Sequence, residues 1–330
     1  MSKVKIAIID TGLDLYDDEI CEFVKFDRNI QINKFEDEYN NLEDLNGHGT
    51  LCAKTILSIC KNAEIYPVKV FDDYGKTSSL KLIEVLTNLA KSDIKVINIS
   101  ASSISSQYAS EMSYVCKELY KKGKIIICSH NNDKKVKSSI PTSFKEVIGV
   151  KGIDYIYSDR DYTYNPNNEI QMYANSKDCF IKFKDNITHF GKNSRSAAIA
   201  SGIVGNILTN DINISFEELE KELIKGSIKS KPKSQFSKIK NNSKQIKIEE
   251  KLLEIINREF SHSSVDLKLI QKYSLFNNLT NIGRYNAYEF LSKINNEFNI
   301  DIDYKEVFLY ELQDLNNIID KIYTKLYKNI

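Results

Sequence analysis

Through the first half of the chain, short apolar runs rich in β-branched residues alternate with longer segments in which apolar residues recur every three or four positions. The runs VKIAIID (residues 4–10), EIYPVKVF (64–71), KVINIS (95–100), KIIICSH (124–130) and EVIGVKGID (146–154) have the length of strands and read as buried on both faces. Between them HGTLCAKTILSIC (48–60), SLKLIEVLTNLAK (79–91) and SEMSYVCKELYKKG (110–123) carry a helical period, with Leu82, Leu86 and Leu89 along one side of the second. Strand and helix in repetition predict an α/β fold, a doubly wound and mostly parallel sheet with helices on both faces. Residues 155–190 are polar, rich in Tyr and Asn and weakly patterned, and predict loops with an irregular β excursion. ISFEELEKELIKG (214–226) predicts a closing helix, in which Ser215 and Glu218 have the reciprocal capping spacing and Gly226 supplies the stop.

The pattern then changes. SIKSKPKSQFSKIKNNSKQIK (227–247) is rich in Lys and Ser and too poor in apolar residues to order itself, so it reads as a flexible linker. After it come helices without strands: IEEKLLEIINREF (248–260), a loop with SLFNNLTNIGR (274–284), AYEFLSKINNEF (287–298) and YELQDLNNIIDKIYTKLY (310–327). The expected organisation is a sheet domain over 1–226, a linker over 227–247 and a small all-α bundle over 248–330.

Composition changes this picture little. The 330 residues are 42% hydrophobic and 28% charged, which suits about two globular domains. Lys+Arg 46 against Asp+Glu 45 leaves a net charge of +1, so no global field draws the chain to nucleic acid or an anionic membrane. No apolar run approaches the ~20 residues that span a bilayer. The N-terminus runs straight into the first strand without a signal-peptide pattern, which predicts a cytoplasmic protein. Cys21, Cys52, Cys60, Cys116, Cys128 and Cys179 show no CxxC pair or metal-ligand spacing and read as reduced, small core residues. His130, His189 and His262 have no metal-ligand spacing either, and neither a metal nor another cofactor is expected.

Candidate chemistry gathers where strands end and helices begin. Asp10 closes the first strand in IIDTGLD. His48 stands in NGHGTLCAKTI at the start of a helix. Ser194 lies in GKNSRSAAIASGIVG (191–205), where bulk gives way to Ser, Ala and Gly. Small residues at 197, 198, 200, 201, 202 and 205 let a helix backbone approach its neighbours closely. The acidic stretch EDEYNNLEDLNG (36–47) reads as a solvated loop.

Taken together, Asp-Thr-Gly after an apolar strand, His-Gly-Thr opening a helix and a serine on a helix of small residues resemble the subtilisin-like serine peptidases, the subtilases, in the order Asp, His, Ser. Subtilisin is the standard example of that order. VKVFDDYGKTSS, VINISASS and SIPTSFKEVIGVKGID resemble the family's intervening segments, and the likeness covers residues 1–226. It implies Ser194 as nucleophile, His48 as general base and Asp10 as the carboxylate that orients the imidazole. It implies Asn131 as side-chain donor to the oxyanion, with Asn132 the alternative if the turn is shifted by one. Ser100, Ala101, Ser102 and Ser129 would line the site for the residue before the scissile bond. The chain departs from the family at Lys192-Asn193, where Gly-Thr is usual, and at Ala197-Ala198, where Ser-Pro is usual.

Residues 248–328 resemble an acyl or peptidyl carrier domain, a four-helix bundle. Where that family attaches its phosphopantetheine arm, in Asp-Ser-Leu, this chain has Ile282-Gly283-Arg284-Tyr285, so no arm is expected. The resemblances imply a cytoplasmic serine endopeptidase acting on a peptide or protein, with a specific precursor in a biosynthetic pathway as the expected substrate and the bundle docking a partner protein. A silent peptide-binding relative, or a subtilase-fold acyltransferase or thioesterase acting on a carrier-bound intermediate, stays open beside it.

Overall fold

The computed structural model describes residues 3–31, 42–229 and 242–328. The centre of the expected linker, residues 230–241, lies outside the described residues. In chain order the elements are β1 (Val4–Asp10), α1 (His48–Ile59), β2 (Ala63–Lys69), α2 (Ser79–Leu89), β3 (Val96–Ile99), α3 (Ala109–Lys121), β4 (Ile125–Ser129), β5 (Val147–Ile153), β6 (Tyr162–Tyr164), β7 (Met172–Asn175), β8 (Cys179–Phe183), β9 (Asn186–Phe190), α4 (Lys192–Leu208) and α5 (Phe216–Gly226). There follow α6 (Ser243–Ile255), α7 (Leu267–Lys272), α8 (Ala287–Phe298), α9 (Leu309–Gln313) and α10 (Leu315–Tyr327). The chain divides into two compact units: residues 1–176 with 191–232, and residues 177–190 with 233–330.

The first unit is built on a seven-stranded sheet of order β2-β1-β3-β4-β5-β7-β6, parallel except for the β6–β7 pair. The five expected strands are β1 to β5. Pro67 has no N–H to give and sits on β2, the edge strand, where none is required. Alternation along β1 divides the core. Ala7 and Ile9 join Leu82, Val85, Leu86 and Leu89 of α2 and Met112, Cys116 and Leu119 of α3 on one side. On the other side α1 and α4 pack together. Truncating a fully buried member of this core such as Leu86 to Ala is expected to cost about 2–5 kcal/mol.

Helix α4 shows why the sequence sheds bulk there. Ala197, Ala198, Ala200 and Ser201 are fully buried, and a Cβ on Gly202 would meet the Ile59 Cβ at 2.8 Å and the Ile56 carbonyl at 3.0 Å. Small side chains let α4 lie against both α1 and the strands. Helix α5 begins with the expected capping box, Ser215 and Glu218 bonding reciprocally.

Residues 155–190 are more regular than their composition predicts. Strand β7 extends the sheet beside β5, and β6 folds back on it. The polar side chains that blur the pattern are internal partners: Gln171 Oε1 accepts from Gly149 N at 2.7 Å, and Asn175 donates to Asp159 at 2.8 Å. The Tyr164 hydroxyl donates to Glu220 at 2.7 Å, and burial together with that carboxylate raises its pKa.

The second unit holds the expected helices and one addition. The hairpin β8–β9, which composition places within the sheet domain, belongs to the helical unit. Phe180 is part of its core with Ile248, Leu252, Phe290 and Ile319, and Ile187 packs against it. Cys179 forms an isolated antiparallel bridge to Phe308, and Leu309 N donates to the Asp178 carbonyl at 2.8 Å. Arg284, in the stretch that replaces the carrier attachment motif, pairs with Asp178 at 2.8 Å and meets His189 Nδ1 at 3.2 Å.

Candidate active site

Asp10 and His48 come together across the carboxyl end of the parallel sheet. β1 ends at Asp10, which is buried, and α1 begins at His48, whose side chain is 33% exposed. His48 Nδ1 lies 2.8 Å from Asp10 Oδ1, which also accepts from Thr11 N at 2.8 Å. A carboxylate accepts only, so Nδ1 carries the proton in this contact and Nε2 is the ring nitrogen that exchanges one with a reactant. Burial works against the imidazolium, but Asp10, the largest of the opposing influences, together with Cys52 outweighs it and raises the His48 pKa well above its ordinary value. Cys52, one turn along α1, places Sγ 4.0 Å from His48 Nδ1 and 3.7 Å from Asp10 Oδ2. Burial raises the Cys52 pKa, which favours the neutral thiol and leaves Asp10 as the larger influence on His48. Asp10, His48 and Cys52 are close enough to share a metal ion. Aspartate and imidazole already satisfy one another there, which makes a hydrogen-bonded pair the simpler description.

Ser194 stands in the first turn of α4 and is 8% exposed. Its hydroxyl donates to the Ser100 carbonyl at 3.1 Å. Ser100 in turn joins the nucleophile candidate to the base: its Oγ lies 3.2 Å from Cys52 Sγ and accepts from Asn98 Nδ2 at 2.9 Å. Asn98 Oδ1 accepts from Ser201 on α4 at 2.9 Å. A buried polar chain thus runs from α1 through β3 to α4. Around it, the Ala101 carbonyl accepts from the Cys128 thiol at 3.1 Å, and the Ser102 hydroxyl is shielded without a partner. Ser129 is buried, with its carbonyl accepting from Thr142 Oγ1 at 3.1 Å. Ser103 exchanges both main-chain hydrogen bonds with Ile140 at 2.8 Å.

The two candidate oxyanion residues differ. Asn131 turns its Oδ1 onto the Asp133 N–H at 2.8 Å. Asn132 turns its Oδ1 onto the Asn193 N–H at 3.2 Å, which places its carboxamide beside the peptide that leads to Ser194. His130 anchors the turn, its ring nitrogens 2.9 Å from the Asn131 carbonyl and 3.2 Å from that of Lys137.

Two residues here carry more than their sequence context implies. Asp44, inside the acidic stretch that reads as solvated, is fully buried, while residues 36–41 of that stretch lie outside the described residues. Its carboxylate accepts from Thr11 Oγ1, Gly47 N, Thr50 N and Thr50 Oγ1 at 2.7–2.9 Å and from Asn46 N at 3.2 Å, so it fixes the turn into α1. An acid four residues before the histidine is the only sequence signal of this. Asn193, read as a departure, spans the turn before Ser194 and the sheet, and Arg195 beyond it is buried and pairs with Asp159.

Comparison with known proteins bears on the family and the fold. The sequence profile described as the Subtilase family matches residues 1–246. Proteinase R of Parengyodontium album is 26% identical over 183 residues, 52% of this chain and 45% of that protein. The chain therefore spans less than half the length of that curated relative. Among solved structures, a cold adapted subtilisin-like serine proteinase superposes with a TM-score of 0.55 at 16% identity, covering 68% of this chain and 82% of that one. Sphericase does so with a TM-score of 0.55 at 18% identity, covering 68% and 83%. At such identities the two superpositions speak for the fold.

Proposed function

The chain belongs to the subtilase family, and on that premise we propose that it is a serine peptidase working through an acyl-enzyme. The observation that carries the reading is the 2.8 Å contact between His48 Nδ1 and Asp10, with Ser194 joined to the same site through Ser100. Ser194 Oγ attacks the peptide carbonyl while His48 Nε2 takes its proton, and the proton then passes to the leaving amine. Asp10 holds the imidazole tautomer and stabilises the imidazolium that forms between these steps. To react, the Ser194 hydroxyl leaves the Ser100 carbonyl for His48, an exchange of one neutral hydrogen bond worth about 0.5–1.5 kcal/mol. The oxyanion is taken by the Ser194 main-chain N–H and an asparagine amide. Asn132 is favoured over Asn131 by its position against the Asn193 peptide.

Ser100, Ala101, Ser102 and Ser129 line the approach for the residue before the scissile bond. The substrate in this reading is one precursor peptide or protein of a biosynthetic pathway in the cytoplasm, and the helical unit docks a partner. Six free cysteines support a reducing setting, and no helix among the described residues is long and apolar enough to cross a membrane.

The test is a fluorophosphonate probe, which phosphonylates an activated serine. We expect the chain to label at Ser194, Ser194→Ala to abolish labelling and His48→Ala to reduce it strongly. A folded wild-type chain that stays unlabelled, where a control subtilase labels fully, would instead mark a silent peptide-binding relative.

A further inference from the structure

Asn193, the residue before the candidate nucleophile, is buried, and its carboxamide is fully used. Nδ2 donates one hydrogen to the His130 carbonyl at 3.0 Å and the other to the Asn131 carbonyl at 2.9 Å, while Oδ1 accepts from Gly152 N at 2.8 Å. Its main-chain N–H donates to Asn132 Oδ1 at 3.2 Å. The amide orientation follows from chemistry, because the flipped group would set oxygen against two carbonyl oxygens and NH₂ against an N–H. Two donors and an acceptor at these angles are what a carboxamide offers, and a hydroxyl offers one donor.

The placement matters more than the number of bonds. Two successive carbonyls of the 130–132 turn are held from below, and the side chain at the end of that turn is held at its oxygen. Asn132 is thereby fixed with Nδ2 as its donor end, one peptide away from Ser194. We infer that Asn193 is a positioning residue of the oxyanion site, acting through Asn132 by locking the 130–132 turn to β5 and to the nucleophile helix. The inference rests on the peptidase reading above. It gives the departure at this position a function: the carboxamide clamps the two walls of the site to each other.

The test is a double-mutant cycle read with the fluorophosphonate probe, which separates the saturating labelling rate from the half-saturating concentration. Removing one oxyanion donor costs about 10²–10³-fold. Asn193→Ala is expected to lower the saturating rate by about 10- to 100-fold, with the half-saturating concentration nearly unchanged. Asn193→Ser, which keeps one donor, should fall between Ala and wild type, and it carries the test should the Ala variant not fold. In an Asn132→Ala background the same substitutions should cost under about 3-fold, because residues acting as a unit are non-additive. Additive losses, a change confined to the half-saturating concentration, or an Asn193→Ser variant as fast as wild type would each overturn the inference while leaving the peptidase reading intact. A wild-type chain that does not label would overturn both.

Discussion

Helix α1, which presents His48, and helix α4, which presents Ser194, both start beside a residue in the left-handed region, Gly47 at φ 94° and Lys192 at φ 61°. From there they are built differently. The start of α1 is wrapped around the buried Asp44 carboxylate, which accepts from Gly47 N and Thr50 N. Among the described residues, no acidic residue stands in the first turn of α4, where a neutral carboxamide from Asn132 meets the Asn193 N–H. A helix N-terminus carries partial positive charge, and an anion placed on it offsets that charge. Under the proposed chemistry the difference has a use. The base must become a cation, so an anion at its helix start favours the change. The nucleophile's neighbourhood must receive an oxyanion, so its helix start is kept free of competing negative charge.

The strongest way to break the base side is Asp10→Asn. It keeps the shape but holds the imidazole in the wrong tautomer, and the labelling rate is expected to fall by about 10⁴-fold while the protein stays folded. Near-normal labelling of that variant would remove Asp10 from the mechanism.

Asp44→Ala should act on the same side through stability. Five hydrogen bonds converge on a carboxylate with no access to solvent, and removing it strands buried donors at about 1–3 kcal/mol each, a loss measurable by denaturant unfolding. Ser215→Ala, which removes an exposed helix cap on α5, is the control and should cost about 1 kcal/mol. If the two variants unfold alike, Asp44 is not what holds the start of α1.

The pH profile sharpens the comparison further. Only neutral His48 accepts the serine proton, and its pKa is raised well above the ordinary value despite burial, with Asp10 the largest raising influence. Labelling should therefore climb with pH through a range above that of a free histidine. The stability linkage has the opposite sign. A pKa raised by folding favours the folded state fully below the unfolded value, and that contribution is lost as pH rises through the folded value. Labelling that plateaus at or below the free-histidine range would remove Asp10 as the dominant influence on His48.

The sheet and the Asp10, His48 and Ser194 motifs were legible because each is local. A strand buried on both faces is a continuous apolar run, and a helix start shows its glycines and small residues in a row. The hairpin β8–β9 was not legible for the converse reason. Phe180 and Ile187 have no apolar partner nearby in sequence, and the core that receives them comes from residues 248–322. Gln171, Asn175 and Tyr164 hid β6 and β7 because their polarity is matched internally rather than by solvent. Asp44 in its loop and Asn193 in the first turn of α4 show the same limit: a charged or polar residue carries no mark of burial until its partners are known.

The smallest expected effect isolates the one respect in which the two helix starts are alike. Gly47 adopts positive φ at no steric cost, whereas Lys192 holds the same region with a side chain and with its N–H committed to the Ser176 carbonyl at 2.8 Å. The left-handed region costs an L-residue about 1–2 kcal/mol, against which glycine loses about 0.5–1 kcal/mol in unfolded-chain entropy. Lys192→Gly should therefore stabilise the chain by up to about 1 kcal/mol, seen as a small rise in Tm, with labelling of Ser194 unchanged. The converse, Gly47→Ala, meets the steric cost without any entropic offset large enough to cover it and should destabilise by about 1 kcal/mol. Equal and opposite shifts at 192 and 47 would show that the two starts share one backbone requirement. A destabilised Lys192→Gly variant would instead mean that the lysine side chain contributes something beyond its φ angle.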